Sequence, residues 1–501
     1  MAWRTAVARF AACAALAVTG AVVAAQAPPA PAQDAPPKGV VRLGRVPISS
    51  DLVKIKLPKA AEADLSNGVH LMVLEDHRAP MIQFTLIIPG AGGYFDPADQ
   101  SGLAGLTAAL MREGTATRSS SEISQQLEVM AASFSVGAGT TSPDAVIAGS
   151  ALTDQVTKLI DLAIDVLLHP AFSDDELARY KVRARAQLAQ QRANPGFLAE
   201  EMFSRAIYGA HPAARVGLTL ESLDNITRDD LVAFHRAHYV PNRALLAVAG
   251  DVTPFQARTV LEGKLSPWKK PTTMTTTAIT NPDPVERPRI IFVARPSAVQ
   301  TNLIVGTQGI ERTNPDYDAL VVMNKILGGG PTGRLFIHLR EEKGYTYGAS
   351  SSLVAPLYRG NWEATTNVRT EVTEPALTDL LAEIRQIRDV PVADDELADA
   401  KRSLTAQYAL ELESPAQLLS LSVSRWRYGL AADYYDRYAE RINAVTKEQV
   451  QAAARKYLDA NRLQIVAVGD PATVADALKK LGPVESYDSD GRRMSETPQR
   501  N

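Results

Sequence analysis

Cysteine is almost missing from this 501-residue chain, and the one present, Cys13, lies in an apolar N-terminal run. Beyond that run no disulfide framework and no thiolate chemistry is available. A dominant charge sign is missing too: 53 Lys+Arg stand against 56 Asp+Glu, a formal net charge of −3, with no basic block interleaved with aromatics. This removes the electrostatic case for nucleic-acid binding. After residue 27 no hydrophobic run is long enough to cross a bilayer as a helix. There are seven histidines, no H-x-x-E-H and no paired cysteines, so the usual zinc spacings are absent. Only His235 and His238 are close at helical spacing, and they read as a solvated or helix-capping pair rather than metal ligands. The aromatics offer no cofactor box; Trp426, Tyr428, Tyr434 and Tyr435 read as core or inter-domain packing.

Residues 1–27 have the layout of an export signal: Arg4 and Arg9, an apolar run from Ala11 to Ala25, and small residues at Ala25 and Ala27. Cleavage there would remove two arginines and no acids, taking the formal charge from −3 to −5. A Pro/Ala-rich lead-in fills 28–48, and the polar tail 485–501 is expected to be disordered.

Between these ends the chain repeats itself. Asp174-Asp175-Glu176-Leu177-Ala178 recurs as Asp394-Asp395-Glu396-Leu397-Ala398, an offset of 220. Ala186-Gln187, Pro195 and Tyr208-Gly209 recur at that offset as Ala406-Gln407, Pro415 and Tyr428-Gly429. Asn242-Arg243 and Gly250-Asp251 recur as Asn461-Arg462 and Gly469-Asp470, one residue closer. Shared offsets over so long a stretch mean two homologous domains, placed at 49–268 and 288–484 around a Pro/Thr/Asn-rich linker at 269–287. Met81 to Ile88 reads as a strand. Asp174 to Arg192 reads as a helix opened by a Ser173/Glu176 capping box, and Arg243–Ala249 and Arg462–Val468 as strands closing each repeat. The mixture predicts α+β domains, each a sheet covered by helices on one face.

The stretch Gly102–Thr115 reads G-L-A-G-L-T-A-A-L-M-R-E-G-T. Before it come Leu65-Ser66-Asn67-Gly68-Val69 and the Gly90–Asp96 turn; after it His238–Arg243 leads into Gly250-Asp251. In this order the segments resemble the pitrilysin/insulinase-type (M16) metallopeptidases over roughly residues 50–480. The resemblance implies two M16-type (LuxS/MPP-like) domains arranged as a half-clamshell. In that family the helix reads roughly G-L-A-H-x-x-E-H-x-x-x-x-G-T. Gly105 and Ala109 then stand where the two ligand histidines would be, and Ala108 where the general-base Glu would be. The third ligand, a Glu in a downstream helix, corresponds to Gln187, and its upstream companion to Tyr180. The resemblance therefore implies no metal and no cofactor in this chain, with zinc expected in a partner subunit.

A second segment, Ile326–Phe336, clusters glycines before Arg334. A phosphate-binding loop needs Lys then Ser/Thr after its last Gly, which Arg334-Leu335 does not supply; a turn in which Gly provides positive φ is the plainer reading. Against the family, Arg340 and Tyr347 resemble the Arg/Tyr element, seven residues apart, that reaches the active site from the C-terminal domain. There a guanidinium would bind a substrate carbonyl or C-terminal carboxylate, and a phenol would donate to an oxyanion. Tyr345, expected on the same strand face, is an alternative phenol. Without the family frame, Arg340 reads as a surface ion pair and Tyr347 as a packed strand residue.

Some M16 enzymes divide zinc and Arg/Tyr between paired chains. The resemblance thus implies the non-catalytic subunit of a heterodimeric, periplasmic zinc peptidase for unfolded oligopeptides, its partner being an M16 chain that carries H-x-x-E-H. A structural subunit and a stand-alone peptide-binding pseudoenzyme remain the alternatives.

Overall fold

The computed structural model describes residues 55–271 and 278–494. The export signal, the lead-in and residues 495–501 of the tail lie outside the described residues. Two six-stranded sheets form the frame. The first contains β1 (Ala61–Asp64), β2 (His70–Glu75), β3 (Met81–Pro89), β4 (Ser133–Ala138), β5 (Asp144–Leu152) and β6 (Leu245–Gly250), in the order β1-β2-β6-β3-β5-β4. The second contains β7 (Arg289–Ala294), β8 (Gln300–Gln308), β9 (Thr346–Val354), β10 (Asn361–Arg369), β11 (Gln464–Gly469) and β12 (Val484–Tyr487), in the order β12-β7-β11-β8-β10-β9. In each, a late strand inserts between two early ones: β6 runs parallel to β2 and antiparallel to β3, and β11 does the same with β7 and β8.

The helices repeat as well. The first half supplies α1 (Leu103–Met111), α2 (Val156–Leu168), α3 (Asp174–Ala193), α4 (Pro195–Tyr208), α5 (Arg228–His238) and α6 (Pro254–Lys264). Their counterparts are α7 (Tyr317–Leu327), α8 (Thr373–Asp389), α9 (Asp394–Glu411), α10 (Pro415–Tyr428), α11 (Lys447–Tyr457) and α12 (Pro471–Lys479).

Side-chain alternation along the central strands explains how the layers close. Leu246 and Val248 of β6 face the first repeat's own helices, whereas Leu245, Ala247 and Ala249 face α10 of the other repeat. In β11, Ile465 and Ala467 face their own helices, and Val466 and Val468 face α4 of the first repeat. Each repeat therefore lends one helix to the far face of the other repeat's sheet. This corrects the expectation of helices on one face only: β6, and β11 after Gln464, are apolar because both their faces are covered. Leu198, Met202, Phe203 and Ile207 of α4 are buried against Ile291, Val293 and Ile304. Phe203 presses on Gly306 of β8, where a Cβ would stand 2.6 Å from the ring. From the other side, Arg427 of α10 pairs with the buried Asp144 of β5, and Trp426 stacks on His70 at 5.9 Å.

Three local expectations change. Ser173 Oγ accepts from Glu176 N–H at 3.2 Å, but the Glu176 carboxylate turns to Arg179, so only half of the capping box forms. β6 and β11 begin two residues later than their patterns suggested. The polar tail is not disordered from 485: β12 pairs in parallel with β7, and Arg289 grips Glu485 through two bonds of 2.9 Å. An edge strand needs backbone pairing, not apolar side chains, and this charge-assisted pair fixes it.

Candidate functional site

Helix α1 begins where Gly102 adopts φ 93°, and the buried Asp96 carboxylate caps it, accepting from Gly102 N–H at 2.6 Å and Ala104 N–H at 2.9 Å. Arg215 steadies the same turn by donating to the Asp96 carbonyl at 2.7 Å. Burial pushes the Asp96 carboxyl up to about 6, against the opposing pull of those N–H donors. Gly105 and Ala109, one turn apart, share the half-buried face of α1, and Ala108 is fully buried. A Cβ on Gly105 would stand 3.2 Å from the Ala138 carbonyl of β4, so β4 leaves little room for a side chain there.

On α3, Gln187 is exposed and Tyr180 packs onto the first core, where burial raises its phenol pKa. The acid at the end of α1, Glu113, is occupied by Ser120 at 2.7 Å and Arg183 at 3.8 Å. A zinc ion does not fit this donor set. Gly105, Ala108 and Ala109 offer no side-chain donor, and Gln187 offers only a neutral amide. Among the described residues no group of three or more His, Cys, Asp or Glu is arranged to hold a metal.

His235 and His238, in the last turn of α5, are half-buried and are not paired with each other. His235 bonds the Leu167 carbonyl at 2.8 Å and stacks on Tyr239; His238 bonds the Gly90 carbonyl at 2.6 Å and stacks on Phe234. Burial lowers both pKa values, so each serves as a neutral donor that pins a neighbouring segment.

In the second repeat the glycine-rich segment is shaped more by crowding than by φ. Of Gly328, Gly329, Gly330 and Gly333, only Gly330 has positive φ, at 130°. A Cβ on Gly328 would stand 2.4 Å from Ser351 N. The turn thus lies directly on β9, and the π-helical stretch Ile337–Glu342 follows. His338–Glu383 at 2.8 Å ties that stretch to α8. Arg340 leaves it half-exposed, paired with Glu341 at 3.2 Å and lying over the Phe336 ring at 4.7 Å.

Tyr347 lies on β9, an edge strand, and is 89% exposed. Two residues on, Ala349 points into the core at 2% exposure, so plain alternation would have turned Tyr347 inward. A β-bulge intervenes: Thr366 pairs with Ala349 but Val368 with Thr346. Thr346 Oγ1 locks the bulge by donating to the Asn367 carbonyl at 2.7 Å. The extra residue turns Tyr347 outward while Tyr345 packs against the second core. The expectation that the two tyrosines share a face is therefore corrected. No sequence pattern marks this bulge apart from the flanking Thr346 and Gly348. Among the described residues, neither Arg340 nor Tyr347 makes a hydrogen bond or ion pair with α1 or α3.

Two duplicated domains with exchanged helices, one carrying a helix of peptidase type without its ligands, define a peptidase-like class of the inactive type. Residues 71–218 match the family model described as "Insulinase (Peptidase family M16)", and residues 225–404 match "Peptidase M16 inactive domain". The chain belongs to peptidase family M16. It is 26% identical over 387 residues to a Mycobacterium leprae protein named an uncharacterized zinc protease, covering 74% of this chain and 83% of that one. A Bacillus subtilis protein of similar name is 23% identical, covering 78% of this chain and 93% of that one. The crystal structure of a peptidase M16 inactive domain from Pseudomonas fluorescens superposes with a TM-score of 0.75 at 29% identity, covering 82% of this chain and 98% of that one. A Helicobacter pylori protease at 16% identity and TM-score 0.76 shares the fold.

Proposed function

We propose that this chain is the non-catalytic subunit of a heterodimeric, periplasmic M16 zinc peptidase that cleaves unfolded oligopeptides. The partner, an M16 chain with H-x-x-E-H, supplies the zinc. This chain supplies Arg340, which binds a substrate carbonyl or terminal carboxylate, and Tyr347, which donates to the oxyanion developing on the scissile carbonyl. The observation that carries the reading is the bulge in β9. It holds an unpartnered phenol in solvent at 89% exposure, where packing alone gives an aromatic ring no reason to be. The donorless α1 supports the division of labour, as does the match to an inactive-domain model.

The test is reconstitution with the zinc-bearing partner. Tyr347→Phe is expected to lower kcat by about 10²-fold with KM little changed, and Arg340→Ala to raise KM. Full activity in both variants would refute the catalytic-support role. One observation favours a second reading, a structural or peptide-binding pseudoenzyme: Arg340 already has Glu341 and Phe336 as partners. That reading predicts full activity in both variants.

A further inference from the structure

Between α2, α6 and the helix-covered face of the first sheet lies a cavity of about 330 Å³. Thr153, Thr157, Asp251 and Gln256 are the only polar residues in its lining; all others are aliphatic or Phe84. Well-packed interiors rarely leave such a space, and the duplication provides an internal control. The loop before Asp394 is one residue shorter than that before Asp174, so α2 and α8 align at an offset of 221, with Pro170 on Pro391 and the cavity residues Val156 and Ala163 on Leu377 and Ile384. These four helix residues are all buried, and the second repeat carries the larger side chain at both positions. Aligned on their leading prolines, Ala257 and Leu261 of α6 correspond to Val474 and Leu478 of α12, both 0% exposed. The turn into α6, Gly250 to Pro254, is two residues longer than the turn into α12, Gly469 to Pro471. The second repeat places larger side chains at most of these positions; the first has smaller ones and a longer turn.

The rim selects among occupants. Val260 of α6, 38% exposed, forms an apolar lip on the helix that walls the cavity. At the polar end the Asp251 carboxylate is held by Thr153 at 3.0 Å and His77 at 2.6 Å, and His77 also meets Glu75 at 2.7 Å. Two carboxylates around one imidazole leave that end negative, which repels an anionic head group while Thr153 and Gln256 can still bond a hydroxyl or ester.

We propose that this cavity binds one apolar chain, an alkyl or acyl group of roughly ten to twelve carbons at about 30 Å³ per methylene-sized unit, with an uncharged head. The proposal does not depend on a peptidase role. The purified full chain is titrated with N-phenyl-1-naphthylamine, which is then displaced with dodecanol, monododecanoylglycerol or laurate at pH 8. Saturable 1:1 binding is expected, with laurate about ten-fold weaker than dodecanol. Tighter binding of the glycerol ester than of dodecanol would identify a lipid rather than a free alcohol as the source of the chain. Ala163→Ile with Ala257→Val, which transplants the second repeat's side chains, is expected to weaken binding about ten-fold without lowering Tm. Ile160→Phe narrows one wall independently should the double variant misfold. Absence of saturable binding, or unchanged affinity in a folded cavity-filled variant, would overturn the proposal. Equal affinity for laurate would overturn the head-group assignment.

Discussion

Phe203 belongs to the first repeat in sequence but to the second in packing, so its removal tests the helix exchange. The ring is 2% exposed and sits where Gly306 of β8 leaves no room for a Cβ. Phe203→Ala deletes this wedge and leaves a hole between α4 and the second sheet, a change that costs about 3–5 kcal/mol. For a domain of this size each kcal/mol is worth about 2–4 °C, so Tm should fall by roughly 6–20 °C. The sharper readout is amide exchange. If the exchange of helices is real, protection falls first in β7, β8 and β11, which begin between 86 (289 − 203) and 261 (464 − 203) residues along the chain from the substitution, while β2, β3 and β6 keep theirs. Loss confined to the first sheet would refute the reasoning, because it would place α4 on its own repeat.

Other outcomes follow from particular contacts. Arg427→Met leaves the buried Asp144 carboxylate without its partner and should cost about 3–5 kcal/mol, read as a shift of the urea midpoint that added salt does not abolish. Asp96 binds its proton more tightly folded than unfolded, so its contribution to stability is complete below about pH 3.8 and is lost as pH rises through about 6. The stability difference between wild type and Asp96→Asn should therefore decline from pH 4 to pH 7; a flat difference would contradict the burial argument. The purified chain is expected to hold zinc well below one equivalent by elemental analysis. Stoichiometric zinc together with peptidase activity in the single chain would overturn the reading of Gly105, Ala108 and Ala109.

The architecture was legible because the duplication is written in residues that fix helix starts and strand ends, such as Asp174, Pro195 and Gly250 with their counterparts. That α1 offers no side-chain donor was legible too, since Gly105, Ala108 and Ala109 are facts of residue type. What alternation and periodicity cannot express is which sheet a helix covers. Leu198, Met202 and Phe203 form an apolar stripe whichever repeat receives it. The bulge at Tyr347 was hidden for a similar reason: a one-residue slip reverses every assignment of face beyond it, and only the pairing of Thr366 with Ala349 reveals it. β12 escaped notice because its order comes from Arg289, nearly two hundred residues away in sequence.

The mutual loan of α4 and α10 also constrains the history and handling of the chain. A gene encoding one repeat alone would yield a sheet with one face bare, able to close only by trading its free helix with a second copy. The present molecule is such a swapped pair written on a single polypeptide, with the tether replacing concentration as the force that keeps the halves together. Cut between its repeats, it should behave as an obligate complex, its fragments reassembling with each other and failing separately.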